Sequence, residues 1–105
     1  MTTMHDVVML IPVEEGIERG NIFRNPKREA AREIFAKVGS VGEREFYDSA
    51  QAGYDLSIKA EVWIWDYEGE QILSYEGEEY RIVRTYRNDK LRRMELYCEK
   101  AKGRE

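Results

Sequence analysis

Arginines cluster beside tyrosines in the last third of the chain, an arrangement in which a basic groove with aromatic stacking platforms could hold single-stranded nucleic acid. Acidic neighbours such as Glu79 and Glu95 dilute that field, so a solvated face with cross-strand ion pairs is the competing interpretation. The candidate contacts for DNA or for an acidic partner protein are Arg84, Arg87, Arg92 and Arg93.

Enzymatic chemistry is not indicated. The pairs Glu14-Glu15 and Glu78-Glu79 resemble paired carboxylates, but neighbouring residues on a strand point to opposite faces. His5 has no nucleophile or metal partner at a recognisable spacing, and no phosphate-binding loop is present. Cys98 alternates in phase with apolar neighbours, which favours a buried thiol. We therefore predict no catalytic residue, no cofactor and no metal site.

The composition is that of a folded protein with a single core. The chain has 105 residues, 36% of them charged and 42% hydrophobic, which predicts one domain spanning residues 1–105. A net charge of -4 provides no general attraction for nucleic acid or for an anionic membrane. No apolar run approaches the roughly 20 residues that span a bilayer, and no signal-peptide pattern is present, so we expect synthesis in a cytosol and no membrane partner.

The elements that position the arginines are antiparallel strands. Two runs rich in β-branched and aromatic residues, 79–87 and 91–98, meet at the polar break Asn88-Asp89-Lys90 and predict a hairpin. Residues 71–75 supply a third strand, joined by Glu76-Gly77, where Gly77 can take the positive φ of a tight turn.

The N-terminal half is less regular. Residues 5–13 predict a strand that is apolar on both faces, as expected for a strand covered on both sides, partly by a neighbouring subunit. Residues 14–28 carry glycines, asparagines and a proline among charges, and predict a long loop with a functional role. Alternation returns over residues 30–38, where Ile34, Ala36 and Val38 share one face of a predicted strand.

One short helix is predicted at about residues 41–53. Ser40 and Glu43 match a capping box, and Gly53 suits the left-handed turn that ends a helix. The helix would carry its apolar side chains along one stripe. That stripe comprises Phe46, Tyr47, Ala50 and Tyr54.

A long strand beginning near Ile58 follows, and Trp63, Trp65 and Tyr67 would lie on one side of it. That aromatic stripe fits either the barrel core or a subunit interface. The predicted fold is therefore mainly β: a small antiparallel β-barrel of about six strands with one short helix and a long loop. Residues 100–105 predict a frayed tail.

The order and spacing of these segments resemble the bacteriophage head-tail joining proteins, also called head-closure or head-tail adaptor proteins. The similar segments are Ile34-Phe-Ala-Lys-Val38, Glu45-Phe-Tyr-Asp-Ser-Ala50, Tyr75-Glu-Gly-Glu-Glu-Tyr80, Ile82-Val-Arg-Thr-Tyr86 and Glu95-Leu-Tyr-Cys-Glu99. The resemblance implies a virion protein without enzymatic activity, which forms a ring below the portal of a phage or prophage, closes the DNA-filled head and provides the surface where the tail docks.

The partners so implied are portal, adaptor and tail proteins, further copies of the same chain, and DNA in passing. The protein would be made in the bacterial cytoplasm and reside at the head-tail interface of the virion. Exposed strand edges, with residues 5–13 as one of them, would join copies into the ring. Candidate ring or partner contacts lie in the long loop. They are Glu14, Glu15, Glu18, Arg19, Asn21, Phe23, Arg24, Lys27 and Arg28.

Two alternatives remain open at this stage. The chain could be a small-barrel nucleic-acid-binding module that uses the arginines of the last hairpin. It could also be another structural protein of the same particle, such as a tail-completion protein.

Overall fold

A computed structural model describes residues 4–101 of the chain, and these residues form eight strands and one α-helix. Single 3₁₀ turns occupy Arg28–Ala30 and Ile64–Asp66. The predicted tail falls mostly outside the described residues, except that Lys100 is the last residue of a strand. The elements are β1 (Asp6–Ile11), β2 (Val13–Glu18), β3 (Asn21–Pro26), β4 (Arg32–Gly39), α1 (Glu43–Gln51), β5 (Leu56–Trp63), β6 (Ile72–Tyr75), β7 (Glu78–Asn88) and β8 (Arg93–Lys100).

Six of the strands close into an antiparallel barrel in the order β1-β4-β5-β8-β7-β6, and β6 pairs back onto β1. The predicted fold class, a small antiparallel barrel with one short helix, is therefore confirmed. Closure has one consequence that the sequence did not indicate. Because β1 pairs with β4 on one side and with β6 on the other, it is not an exposed edge, and that expectation was wrong.

The barrel interior is filled by alternate residues of its strands. Ile34 and Ala36 of β4 point inward as predicted, and Val38 packs against the same cluster. Cys98 is completely buried, which confirms the prediction for its thiol. The remaining buried members of the cluster are Val8, Leu10, Ala60, Val62, Leu73, Tyr80 and Leu96.

The C-terminal meander follows the sequence prediction closely. Strands β6, β7 and β8 pair in sequence order, and Gly77 has a φ of +82° in the turn between the first two. The last turn is longer than predicted, because β8 begins at Arg93 rather than at residue 91. Asn88 shapes it by accepting a hydrogen bond from the Leu91 backbone N–H at 3.2 Å.

The predicted long loop at residues 14–28 is wrong, because β2 and β3 occupy most of it and form a separate two-stranded hairpin. The central turn residues Arg19 and Gly20 both have positive φ, at 54° and 80°. Two such residues form the tight primed turn whose twist matches that of the flanking strands. Glycine at the second position makes this turn accessible.

Helix α1 begins and packs differently from the prediction. Its N-cap is Gly42 and no side chain caps it, so the capping box at Ser40 was wrong. Glu43 and Glu45 lie in its first turn, where negative charge is favourable near the positive end of the helix dipole. Gly53, with a φ of +94°, confirms the left-handed turn after the helix.

The predicted aromatic stripe of Trp63, Trp65 and Tyr67 does not lie along one strand. Strand β5 ends at Trp63, and Trp65 lies in the following 3₁₀ turn with 61% of its surface exposed. The opposite face of β5, with Ala60 and Val62, fills the core. The core interpretation of the stripe was therefore wrong for Trp65, whereas Tyr67 does pack against the core.

Candidate interaction surfaces

The β2–β3 hairpin, which we call the arm, has two faces set by its register. One face carries the cross-strand pairs Glu15–Arg24 and Ile17–Ile22. Glu15 and Arg24 form an ion pair at 2.7 Å. Ile17 and Ile22 lie beyond it, next to the turn, and are 74% and 77% exposed. The free end of the arm therefore presents an apolar pair to solvent, a surface that folding of this chain alone does not bury.

The other face of the arm is made by Phe23 lying across Gly16. These residues are directly opposite in the register, and the absence of a side chain at Gly16 leaves room for the aromatic ring. A shallow depression lined by Glu18, Arg19, Asn21 and Phe23 lies beside them. This face is more polar than the one that carries the isoleucines.

The root of the arm is tied to the barrel. The backbone N–H of Lys27 donates to the Pro12 carbonyl at 2.8 Å and closes the hairpin. Two nitrogens of the Arg28 guanidinium donate hydrogen bonds to the Glu79 carboxylate, at 2.8 and 3.1 Å. Lys27 also binds Glu14 at 3.3 Å, and this hydrogen bond raises the pKa of Lys27. The arm therefore has a held root and a free end.

The structure brings all the predicted loop contacts into this one arm and its root. Glu14, Glu15, Arg24, Lys27 and Arg28 make the ion pairs at and near the root. The four remaining candidates, Glu18, Arg19, Asn21 and Phe23, surround the free end. Sequence reasoning missed the apolar pair Ile17 and Ile22. Their symmetrical placement around Arg19-Gly20 is the signal of a hairpin turn that would have found them.

A second apolar surface lies on the outside of the barrel, and we call it the β1–β4 face. Val7, Met9 and Phe35 are 43%, 38% and 60% exposed. Val7 lies opposite Phe35, and Met9 lies opposite Glu33, so the four side chains share one face of two paired strands. In the single chain this outer face is open to solvent at Val7 and Met9, so its expected covering by a neighbouring subunit stays a prediction.

Helix α1 packs against β5 and is linked to β7 by an ion pair. Glu45 binds Arg84 at 2.7 Å, and Ser49 is the buried residue of the helix. The predicted apolar stripe therefore faces outward. Phe46 and Tyr47 stack edge to face with ring centroids 5.7 Å apart, and Tyr47 is 59% exposed.

The candidate nucleic-acid arginines are largely neutralised by carboxylates of the same chain. Arg84 pairs with Glu45, Arg87 pairs with Asp89 at 2.7 Å, and neighbouring Arg81 pairs with Glu99. Arg93 is 8% exposed, binds Glu61 at 3.0 Å and lies 5.0 Å from the Trp63 ring. Within residues 4–101, Arg92 alone of the four candidates has no carboxylate partner. Among the residues that the structure describes, these arginines do not form a basic groove.

Burial also raises the pKa values of tyrosines and of the cysteine in or around the barrel wall. It raises the pKa of the Cys98 thiol to about 12 and the pKa of Tyr67 to about 12. Burial, with a hydrogen bond from the Tyr97 hydroxyl to Glu95 at 2.8 Å, raises the pKa of Tyr97. None of these groups is poised for chemistry at neutral pH.

A buried carboxylate organises the connection between β5 and β6. Glu70 is 5% exposed and accepts hydrogen bonds from Arg32 at 2.6 Å and from the Glu68 backbone N–H at 2.9 Å. The Tyr67 hydroxyl donates to the Glu70 carbonyl at 2.8 Å. Arg32 also donates to the Asp66 carbonyl at 2.6 Å, so the network joins the two ends of the 66–70 segment to β4 and has a structural role.

No protein-family model matches this chain, and no curated protein matches it significantly. In the part of the chain that the structure describes, no three His, Cys, Asp or Glu side chains are grouped to hold a metal ion. Of the helices between residues 4 and 101, none is both long and apolar enough to cross a bilayer.

Proposed function

We propose that this chain is a structural connector protein of a tailed bacteriophage or prophage, the component that closes the head. Copies of it form a ring below the portal and adaptor, retain the packaged DNA and provide the docking surface of the tail. It acts without enzymatic activity, at the head-tail interface of the virion, after synthesis in the bacterial cytoplasm.

One observation carries the proposal beyond the resemblance. A barrel that closes on itself still leaves apolar side chains outside, on a projecting arm and on the β1–β4 face. Exposed apolar groups gathered in this way mark protein–protein contact surfaces. A small barrel with such surfaces fits a structural protein that binds neighbouring subunits.

The arm provides the test. Replacing Gly16–Phe23 by Asn-Gly joins Glu15 to Arg24 through a two-residue turn and keeps the ion pairs of the root. The shortened protein should fold with the thermal stability of the wild type, because the removed residues do not contribute to the barrel core. In the phage or induced prophage that encodes this chain, it should fail to enter heads, so that filled heads and free tails accumulate unjoined.

Leu91→Ala is the matched control, since Leu91 is 55% exposed in a turn of another hairpin. It should support normal joining. Normal tail joining by the shortened variant would contradict the proposal. Portal, capsid and adaptor reading frames just upstream of the gene would support it independently.

A further inference from the structure

The free end of the arm and the β1–β4 face have matching chemistry. The arm ends in Ile17 and Ile22 with Arg19 in the turn between them. Arg19 is exposed and forms no ion pair with any other residue between 4 and 101. The end of the arm is thus an apolar pair next to an unpaired cation, with the exposed carboxylate of Glu18 on the opposite face.

The β1–β4 face is the complement of that arrangement. Its apolar members Val7, Met9 and Phe35 are flanked by Glu33, which lies opposite Met9. Glu33 is exposed, and among the described residues it too has no ion-pair partner. Lys37, two residues beyond Phe35 on the same strand, shares this face and is also exposed. The apolar patch therefore has an anion at the end near Met9, where the cation of the arm would fit, and a cation at its other end.

The arm does not cover the β1–β4 face of its own chain. Its root is held by β7 through Arg28 and Glu79, and its isoleucines remain three-quarters exposed. The β1–β4 face likewise remains open. Both surfaces belong to every copy, so the occupant of each is available on the next copy.

We propose that the end of the arm of one copy docks on the β1–β4 face of a second copy. Ile17 and Ile22 cover Val7, Met9 and Phe35, and Arg19 pairs with Glu33. Two different surfaces meet in this contact, which makes it head-to-tail, and repetition of such a contact closes into a ring when the rotation allows it. The inference rests on the proposed function, for which it names the contact that joins neighbours.

The contact is small by the standards of stable complexes. Interfaces that hold in dilute solution bring together roughly 20 to 30 residues on each side, several times more than the end of the arm offers. Copies alone should therefore associate weakly. Once a platform holds them side by side, each docking step becomes intramolecular and is favoured by the high effective concentration.

Disulfide trapping tests the contact in the full chain. Ile17→Cys and Phe35→Cys proteins, one of them tagged, are mixed at millimolar concentration and oxidised mildly. Native Cys98 is buried, and wild-type protein controls for its reactivity. The mixed 17–35 dimer should exceed, several-fold, the product of Ile17→Cys with Leu91→Cys, which places an equally accessible thiol away from the face. A yield no higher than that control, or a predominance of symmetric 17–17 dimers, would overturn the proposal.

Charge reversal tests the register of docking. Arg19→Glu on the Ile17→Cys protein should lower the mixed yield several-fold, and Glu33→Arg on the Phe35→Cys protein should restore it. Failure of the restoration would overturn the pairing of these two residues. The trap also separates this inference from the proposed function. Trapping by a protein that particle assembly does not need would refute the function alone, whereas a required protein that does not trap would refute the contact alone.

Discussion

Gly16 lies opposite Phe23 in the arm, and the ring is so close that a Cβ at position 16 would come within 2.6 Å of its Cζ atom. Gly16→Ala should therefore displace the ring and loosen the arm. Because the arm lies outside the barrel core, the free energy of unfolding should change by less than about 0.5 kcal/mol. The changed environment should appear in the NMR signals of the Phe23 ring. Gly16→Ala with Phe23→Ala removes the clash and should return the arm backbone signals towards those of Phe23→Ala alone.

Truncating apolar residues should lower the free energy of unfolding strongly in the barrel and only slightly in the arm. Leu96 is completely buried, so Leu96→Ala should lower the free energy of unfolding by about 2–5 kcal/mol. Ile17→Ala with Ile22→Ala removes side chains that already face water, and the free energy of unfolding should change by less than about 0.5 kcal/mol. Urea denaturation measures both. A large loss from the isoleucine variant would mean that the arm is part of the cooperative fold.

The Arg32–Glu70 pair should matter more than the Arg28–Glu79 pair, although both have close contacts. Arg32→Ala leaves the buried Glu70 carboxylate without its cation and should cost about 1–3 kcal/mol. Arg28→Ala breaks an exposed pair that water replaces, and should leave the free energy of unfolding nearly unchanged. The two variants serve as controls for each other in chemical denaturation. Equal losses would contradict the assignment of Glu70 as the buried end of the network.

Stability should fall in alkali. The Cys98 thiol has a folded pKa of about 12 against an ordinary value of 9.0, so above pH 9 the unfolded chain releases a proton that the folded chain keeps. Each such group lowers stability by about 1.4 kcal/mol per pH unit until its folded pKa is passed. Tyr67 and Tyr97, raised in the same direction, act from about pH 10 upward.

Unfolding curves recorded between neutral pH and pH 12 give this slope directly. Cys98→Ala lacks the thiol and should lose stability less steeply above pH 9, even if its stability at neutral pH is lower. The native thiol should also resist alkylating reagents until the protein unfolds. Rapid alkylation at neutral pH would contradict the buried environment of Cys98.

Binding to DNA should be weak at physiological salt, because most of the hairpin arginines are already paired. Gel-shift titrations at several salt concentrations, with single- and double-stranded DNA, measure it. A nucleic-acid-binding module would instead show salt-dependent affinity that Arg84→Ala and Arg92→Ala weaken together. That result would revive the alternative function.

The parts of the fold that the sequence predicted are those where local chemistry and burial agree. In β4, alternation places Ile34, Ala36 and Val38 inward, and the structure keeps that phase. Gly77 permits the positive φ of the turn between β6 and β7, and the turn forms there. A strand with one face in the core and the other in solvent shows alternating apolar and polar residues, which can be recognised in the sequence.

The arm carries no such pattern. Neither of its faces enters the core, so residues 14–26 lack the alternation that marks a half-buried strand, and their charges and glycines read as a loop. The predicted contact residues fall in this arm and its root, and their role stays a prediction, whereas the exposed Ile17 and Ile22 were not recognised without the hairpin register.

By itself, the sequence determined a mainly β barrel with one short helix, because turn residues and alternation act locally. Only the tertiary structure decided that β1 has no free edge, that the helix aromatics and Trp65 face outward, and that most of the hairpin arginines are paired with carboxylates. These outcomes depend on which strands meet and which carboxylate comes within a few ångströms, and packing between distant parts of the chain sets both.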